Sequence, residues 1–183
     1  DSIGYAIKGR LLATASDRDR IDEALANARQ AHALNPHNMV SLHALAQVEI
    51  WAGNPESAAE HLHKALRISP RDPPRYLLHL LLAIASSCSG RYAEGVDYAL
   101  LGIGEAPENP MLHTQLAIGY VGLGEIGKAK AAREAARRVG PEFVESRLAG
   151  NVPLRKPEHH RRVTTFLRIA AGLEDPSAAE GLR

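Results

Sequence analysis

The sequence has 183 residues, 45% of them apolar and 23% charged, which is enough apolar material for a core and excludes a wholly disordered chain. Its formal charge of +1 excludes a global field that attracts nucleic acid or membrane, and its single cysteine excludes an internal disulfide framework. No apolar run reaches the roughly 20 residues of a membrane span, and an aromatic content of 4% favours helices over a β-sandwich. Because the chain starts at Asp1 without a methionine or a leader, we expect it to be a piece of a longer protein.

An internal repeat runs through most of the chain. Four prolines follow similar apolar segments at intervals of 34, 37 and 34 residues: Pro36, Pro70, Pro107 and Pro141. Other columns keep this phase: Leu11, Leu45, Leu82 and Leu116; Gly53, Gly90 and Gly124; Ala24, Ala58, Gly95 and Ala129. Columns that stay in register over four units predict a solenoid of stacked repeats.

Each repeat reads as a helix, a short turn and a second helix, over about residues 5–38, 39–72, 76–109 and 110–141. In the second unit, residues 38–52 predict a helix, and Gly53-Asn54-Pro55 predicts a turn with a capping side chain and a proline at the next helix start. The following helix is predicted to end near Ile68, because Pro70 cannot continue it. The longer interval before the third unit predicts an insertion at 71–74.

The periodicity changes after Pro141. Residues 142–149 predict a short helix, and residues 157–172 predict another, with Val163, Phe166, Leu167 and Ala170 on one face. Because a solenoid needs an atypical element over the core of its last repeat, residues 142–173 are predicted to be capping helices. Residues 174–183 are predicted to be a flexible, frayed tail.

The order of small and apolar residues in this unit resembles the tetratricopeptide repeat (TPR) family. The second and fourth units fit best, whereas the first has Asp19 in place of the turn glycine and the third has Gly102 in place of the usual alanine. The tryptophan frequent near the start of the family's first helix is replaced by Leu42, His79 and His113. The resemblance covers about residues 5–141. It implies an all-α, TPR-type right-handed helical solenoid of about four helix-turn-helix repeats with a C-terminal helical cap.

A narrower resemblance extends from Gly90 through the fourth repeat to Val152-Pro153-Leu154-Arg155 and the last helix. This order is similar to the C-terminal TPR region of bacterial class III adenylate/guanylate cyclases and of winged-helix transcription regulators. In those proteins the TPR region is implied to sense or dock, while an N-terminal domain makes cyclic nucleotide or binds DNA.

The resemblance also implies a concave groove, lined by the first helix of each unit. Transferring the family's groove positions gives Val40, His43, Gln47, Ile50, Trp51, Leu77, Leu80, Ile84, Met111, Thr114, Ile118 and Val121, with Ser87, Cys88 and Gly122 at the remaining places. Most of these side chains are apolar, and the Lys/Asn/Arg clamp that some TPR domains use for a terminal carboxylate is absent. The groove therefore suits an amphipathic helix or an attached domain, with Trp51 as its main anchor. Two other interpretations stay open: the superhelix closes on itself, or preceding domains fill the groove.

One glycine-rich segment imitates a nucleotide-binding loop. Gly122, Gly124 and Gly127 match G-x-G-x-x-G, and Gly122 with Gly127-Lys128 matches G-x-x-x-x-G-K. The loop lacks the Ser or Thr that would hold Mg²⁺, since Ala129 follows the lysine. Gly124 and Ala129 also fall on repeat columns, so a turn between paired helices is the favoured interpretation.

No other pattern indicates chemistry. The nine histidines lack ligand spacing with a carboxylate, and no Ser/His/Asp or Cys/His arrangement stands out. His79 and His113 are predicted to pack between helices, and Cys88 to be a small buried apolar residue. We therefore expect no catalytic residue, no cofactor and no metal in this region, while the longer protein could be a nucleotide cyclase.

Basic residues concentrate near the C-terminal end, where residues 128–168 hold eleven Lys/Arg against four Asp/Glu. The basic stretch comprises Lys128, Lys130, Arg133, Arg137, Arg138, Arg155, Lys156, Arg161 and Arg162. A solvated outer face is favoured over a site for an acidic partner, and the lack of interleaved aromatics disfavours nucleic acid.

The sequence thus predicts a cytoplasmic protein–protein interaction module, the regulatory or sensory region of a larger bacterial signalling protein. Its partner is a protein or peptide, with no membrane or nucleic acid bound by this region. The alternative is a stand-alone TPR scaffold that acts through self-association or complex assembly.

Overall fold

The computed structural model describes residues 4–6, 8, 20–68 and 75–183, and within these ranges the chain is helical with no strand. Residues 4–6 and 8 are helical, and the later helices are α1 (Ile21–Leu34), α2 (Met39–Ala52), α3 (Pro55–Ile68), α4 (Arg75–Cys88), α5 (Tyr92–Glu105), α6 (Pro110–Gly122), α7 (Ile126–Val139), α8 (Pro141–Leu148) and α9 (Pro157–Ala170). A short 3₁₀ helix spans Pro176–Ala179. The predicted all-α solenoid is confirmed. The predicted insertion at 71–74 and the turn at Asp19 lie outside the described residues.

Side chains and prolines set the helix boundaries as the repeat predicts. The Asn38 side chain accepts a hydrogen bond from the Ser41 amide at the start of α2, and the Asn109 side chain caps α6 in the same way. Gly53, Gly90 and Gly124 end the first helices of their units with φ values of 93°, 75° and 78°, which side chains rarely adopt. The repeated glycine column is therefore a requirement of the backbone.

Each helix from α1 to α7 packs against the next, and the units stack through their first helices. Helix α2 contacts α4, and α4 contacts α6, whereas α3, α5 and α7 make no comparable contact with one another within the described ranges. Because the first helices lie closer together than the second ones, they form the inner side of a curved stack. The described helices α2 to α7 thus form three successive pairs, α2–α3, α4–α5 and α6–α7.

Small residues allow this packing. Ala58 and Ala129 are fully buried, and a Cβ added at Gly95 would lie 3.3 Å from the Ala83 carbonyl oxygen. At Gly102, where the repeat usually has alanine, a Cβ would lie 2.4 Å from a Leu112 methyl carbon. The absence of a side chain at Gly102 thus makes room for the Leu112 side chain of the next unit.

The C-terminal region covers the last repeat and also reaches earlier units. Helix α8 packs on α7 and α6, and α9 packs mainly on α6, with further contacts to α7, α8 and α4. The chain after α8 therefore turns back over the inner helices instead of extending the stack. The tail is not frayed: Ala179 is fully buried, and the Leu182 carbonyl oxygen accepts a hydrogen bond from the Tyr92 hydroxyl at 3.2 Å.

Candidate protein-binding face

The candidate site is the inner face, which we define as the surface that α2, α4 and α6 present to the inside of the stack. Of the predicted groove residues, six are buried: Ile50, Trp51, Leu80, Thr114, Ile118 and Val121. Five are partly buried: His43, Gln47, Leu77, Ile84 and Met111. Val40 is exposed. The buried members are mostly in the later turns of their helices, so one end of the inner face is covered and the other is accessible.

The cover is the C-terminal segment, which we define as residues 152–183. Ile50, Trp51, Ile118 and Val121 belong to one core cluster with Leu154, Val163, Phe166, Leu167, Ile169, Ala170 and Ala179 of this segment. The apolar face predicted for α9 is confirmed, since all four of its residues are buried. The interpretation in which the superhelix closes on itself therefore describes this end of the groove.

The ring of Phe166 is the centre of this packing. Phe166 is fully buried, and its ring centroid lies 5.6 Å from that of Tyr92, at the start of α5. Tyr92 in turn fills the space beside Gly122, where an added Cβ would lie 2.3 Å from the tyrosine ring. Helix α9 thus reaches the third unit through an aromatic contact, and the same tyrosine packs against the fourth unit.

Polar contacts continue the cover as far as α1 and α2. The Arg155 amide donates to the Trp51 carbonyl oxygen at 2.8 Å, and the Arg155 guanidinium pairs with Asp22 in the first turn of α1. The stem of Lys156 crosses the turn at Gly53, so closely that an added Cβ would lie 2.4 Å from it. The connection before α9 therefore passes the turn that joins α2 to α3 and reaches the start of α1.

Trp51, predicted to be the main anchor of the groove, is buried. Its exposed fraction is 7%, and it lies in the same core cluster as α9. A sequence column places a residue on the inner face but does not reveal a later segment that covers it.

Several residues of the predicted basic stretch form hydrogen bonds or ion pairs with other parts of the chain. Arg162 donates to the carbonyl oxygens of Cys88 and Leu182, both at 2.6 Å, and Arg133 donates to that of Ala171 at 3.2 Å. Arg137 pairs with Glu134 at 3.1 Å. Arg133, Arg155 and Arg162 hold the C-terminal segment in place, a role that charge counting alone did not reveal.

The nucleotide-loop pattern at Gly122–Ala129 is a turn between α6 and α7, as the repeat columns predict. The Tyr92 ring occupies the space beside Gly122. Lys128 pairs with Glu125 and lies 5.4 Å above the Tyr120 ring. The geometry gives the segment a structural role.

In the described part of the chain no group of His, Cys, Asp or Glu could hold a metal ion. His79 is buried with its Nδ1 3.4 Å from a Glu105 carboxylate oxygen, and burial lowers its pKa. The predicted burial of Cys88 is confirmed, and this burial raises its thiol pKa to about 12, which makes it a poor nucleophile.

A polar cluster joins α2 to α3. The buried Glu49 carboxylate accepts a hydrogen bond from the Ser57 hydroxyl at 3.0 Å and lies 2.9 Å from His61 Nδ1. This hydrogen bond raises the pKa of His61, whereas burial lowers the pKa of His32, whose ring centroid lies 5.3 Å from that of His61. Ser57 and His61 both bond the Glu49 carboxylate and do not bond each other. His61 is therefore not placed to take a proton from Ser57, as the base of a catalytic triad does.

A shallow depression of about 620 Å³ lies beside the first residues of α4 and α6. It is lined by Tyr76, by residues 106–111 and by Phe143 of α8. Met111 is the one predicted groove residue in this lining.

No helix within the described ranges combines the length and apolarity needed to cross a bilayer.

The comparisons with known proteins agree with this geometry. The family model described as tetratricopeptide repeat matches residues 15–83. The TPR-like repeats of a Podospora anserina kinesin light chain superpose with a TM-score of 0.64 at 18% identity, over 99% of this chain and 92% of that one. The fold is that of a TPR solenoid.

Other TPR solenoids give similar values. MamA from Desulfovibrio magneticus RS-1 has a TM-score of 0.60 at 15% identity, over 92% of this chain and 94% of its own. YrrB, described as a TPR protein with an unusual peptide-binding site, has a TM-score of 0.58 at 16% identity, over 95% of this chain and 87% of its own. No curated protein matches the sequence. At these identities the solved structures establish the fold of this TPR solenoid and nothing finer.

Proposed function

We propose that this chain is a protein–protein interaction module that binds an amphipathic helix on its inner face. The observation that carries this proposal is α9, an amphipathic helix of the same chain that packs on α6 and α4 with a fully buried Phe166. A surface that accepts one such helix has the shape and apolarity to accept another of the same pattern. The description of YrrB as a peptide-binding TPR protein supports the same class of function.

The intramolecular helix has an advantage over any external one. A tethered segment acts at an effective concentration on the order of millimolar, so a separate helix competes only when α9 is weakened or released. The proposed module is therefore closed in the described structure, and its binding depends on how firmly α9 is held.

A peptide in trans tests this function. The probe is a fluorescein-labelled peptide of residues 157–172, titrated with the full chain carrying Phe166→Ala and followed by fluorescence anisotropy. Because the substitution weakens α9 but leaves the inner face unchanged, we expect saturable binding about ten-fold or more tighter than to the unsubstituted chain. Thr165→Ala, on a partly buried position of α9, is the matched control and is expected to behave like the unsubstituted chain.

Circular dichroism first establishes that the Phe166→Ala chain is folded, and Val163→Ala is the milder replacement if it is not. A folded variant that does not bind the peptide would overturn the proposed function. Sedimentation of the same samples tests the alternative, in which copies of the chain associate with one another.

We also propose that the chain divides into four TPR units, over about 5–38, 39–72, 76–109 and 110–141, and serves as the regulatory region of a larger bacterial signalling protein in the cytoplasm. The resemblance of the segment after Gly90 to the C-terminal TPR regions of cyclases and winged-helix regulators supports this. No catalytic residue or cofactor is assigned to the module itself. A cyclase or winged-helix sequence upstream of Asp1 in the gene would support the proposal, and a secretion signal there would contradict it.

A further inference from the structure

The C-terminal ends of the inner helices lie in a row beneath the C-terminal segment. In each of α2, α4 and α6, a main-chain carbonyl oxygen of the last turn accepts a hydrogen bond from that segment. The contacts are Arg155 N to Trp51 O at 2.8 Å, Arg162 Nη1 to Cys88 O at 2.6 Å and Arg183 Nη2 to Val121 O at 3.5 Å.

Two of these carbonyl groups occupy the same place in the repeat. Trp51 and Cys88 each stand two residues before the glycine of their turn. The turn amides satisfy the carbonyls just before them: Gly53 and Asn54 donate to Ile50 and Glu49, and Gly90 and Arg91 donate to Ser87 and Ser86. The turns after α2 and α4 therefore leave an equivalent acceptor for a group from outside the repeat, whereas the Val121 carbonyl oxygen near the end of α6 also accepts from the Gly124 amide at 3.0 Å.

A helix C-terminus favours a positively charged donor, because its last carbonyl groups form the negative end of the helix dipole. Arg162 fits this preference at α4, where its guanidinium bonds the Cys88 carbonyl oxygen through Nη1 and the Leu182 carbonyl oxygen through Nε. The adjacent Arg161 is exposed and is assigned no such contact.

The arginine and the aromatic ring belong to one face of α9. Arg162 and Phe166 are four residues apart, a spacing that places them one turn apart on the same side of a helix. The ring packs on Tyr92, the first residue of α5, while the guanidinium reaches the end of α4. The inner face thus meets a two-part pattern, an arginine followed after four residues by an aromatic anchor.

We propose that the carbonyl groups at the turn ends of the inner helices select for arginine, so that the external partner of the inner face is a basic amphipathic helix. This inference rests on the proposed function and names the chemistry of its ligand. The partner carries arginine at the place of Arg162 and a large apolar side chain at the place of Phe166, and it replaces α9 on α4 and α6.

The experiment compares three peptides of residues 157–172 on the folded Phe166→Ala chain: the natural sequence, one with Arg162→Gln and one with Arg161→Gln. The two substituted peptides have the same net charge and differ only in which arginine is lost. We expect Arg162→Gln to weaken binding by about ten-fold or more, since a charge-assisted hydrogen bond is removed. Arg161→Gln is expected to change binding by less than about two-fold.

The same pair of substitutions within the full chain gives a second measurement. Hydrogen exchange of the α9 amides should become faster by about ten-fold in the Arg162→Gln chain and remain unchanged in the Arg161→Gln chain. Equal effects of the two substitutions, in peptides and in chains, would overturn the arginine selection while leaving helix binding intact. Absence of binding by the natural peptide would instead overturn the proposed function, and a dimer of the Phe166→Ala chain would show that the occupant is a second copy.

Discussion

Gly122 shows how one missing side chain positions the C-terminal segment. A Cβ at this position would lie 2.3 Å from the Tyr92 ring. The same ring also packs on the buried Phe166, with 5.6 Å between the two ring centroids. The ring has little freedom to move, because Tyr92 is itself buried.

We therefore expect Gly122→Ala to destabilise the protein by about 1–3 kcal/mol, the usual range for overpacking, despite alanine's better helix propensity. Gly127→Ala is the control, since nothing lies within 4 Å of a Cβ there. It should be neutral or stabilising by up to about 1 kcal/mol. Urea unfolding of both variants measures the difference, and a stabilised Gly122→Ala protein would contradict the packing described here.

The His61–Glu49 contact gives the protein a defined pH dependence. The hydrogen bond raises the pKa of His61 above its ordinary 6.5, so this contact stabilises the fold fully below about pH 6.5 and ceases to do so as the pH rises through the folded-state value. Burial lowers the pKa values of His32 and His79, so these two residues favour the folded state at higher pH instead. The pH dependence of the unfolding free energy is the sum of these opposing contributions.

A difference measurement isolates the contact. The unfolding free energy lost in His61→Gln should be larger at about pH 5.5 than at about pH 8.5, by about 1 kcal/mol or less for a partly exposed pair. His63→Gln, on another side of α3 with its ring 6.1 Å from the Tyr98 ring, should show no such dependence. An equal loss at both pH values in His61→Gln would show that the ion pair does not form.

Single residues also show where prediction from sequence ends. Repeat columns predict the turns at Gly53 and Gly124, because those roles arise within one unit. They do not reveal the burial of Trp51, because its cover comes from residues more than a hundred positions later. The contact of Arg162 with the Cys88 carbonyl has no signature in local spacing, since it depends on how the chain returns.

At the scale of elements, α9 combines a predictable surface with an unpredictable position. The apolar spacing of its residues fixed which face is buried, but an end cap and an inner-face helix require the same amphipathic pattern. Its eight-residue connection from α8, residues 149–156, is what carries the chain back to the turn at Gly53.

Helix α9 is expected to loosen separately from the repeats. Phe166→Ala removes a fully buried ring, a change that ordinarily costs about 3–5 kcal/mol, and most of this loss should fall on the docking of α9. Hydrogen exchange should accelerate strongly in 157–170 and much less in α4 and α5. Thr165→Ala serves as the control on the same helix, and uniform acceleration throughout the chain would show that α9 and the repeats form one cooperative unit.

At the scale of the whole molecule, the C-terminal segment changes the kind of solenoid this is. A simple repeat stack has contacts only between neighbouring units, so its stability is a sum of local terms. Here the segment contacts Asp22 in α1, Trp51 in α2, Cys88 in α4 and Arg133 in α7. These long-range contacts join the units and should make their unfolding more cooperative.

Two probes test this cooperativity. Trp51, the single tryptophan, reports on the junction of α2 with the C-terminal segment, and circular dichroism reports on all helices. In the unsubstituted chain we expect both signals to change at the same urea concentration. In the Phe166→Ala chain the tryptophan signal should change first, and two coincident transitions there would show that the segment does not couple the units.

The course of the C-terminal segment has a mechanical consequence. Its contacts lie one after another along the row of turns, with Leu182 held at Tyr92, Phe166 beside the same ring and Arg155 at Trp51. A pulling force applied at Arg183 would meet them in sequence and open them like a zipper, at low force. Full release of residues 152–183 would lengthen the chain by a tether of about 110 Å in contour, at roughly 3.3–3.6 Å per residue. Tension on whatever is attached beyond this segment would thereby uncover the inner face without unfolding a single repeat.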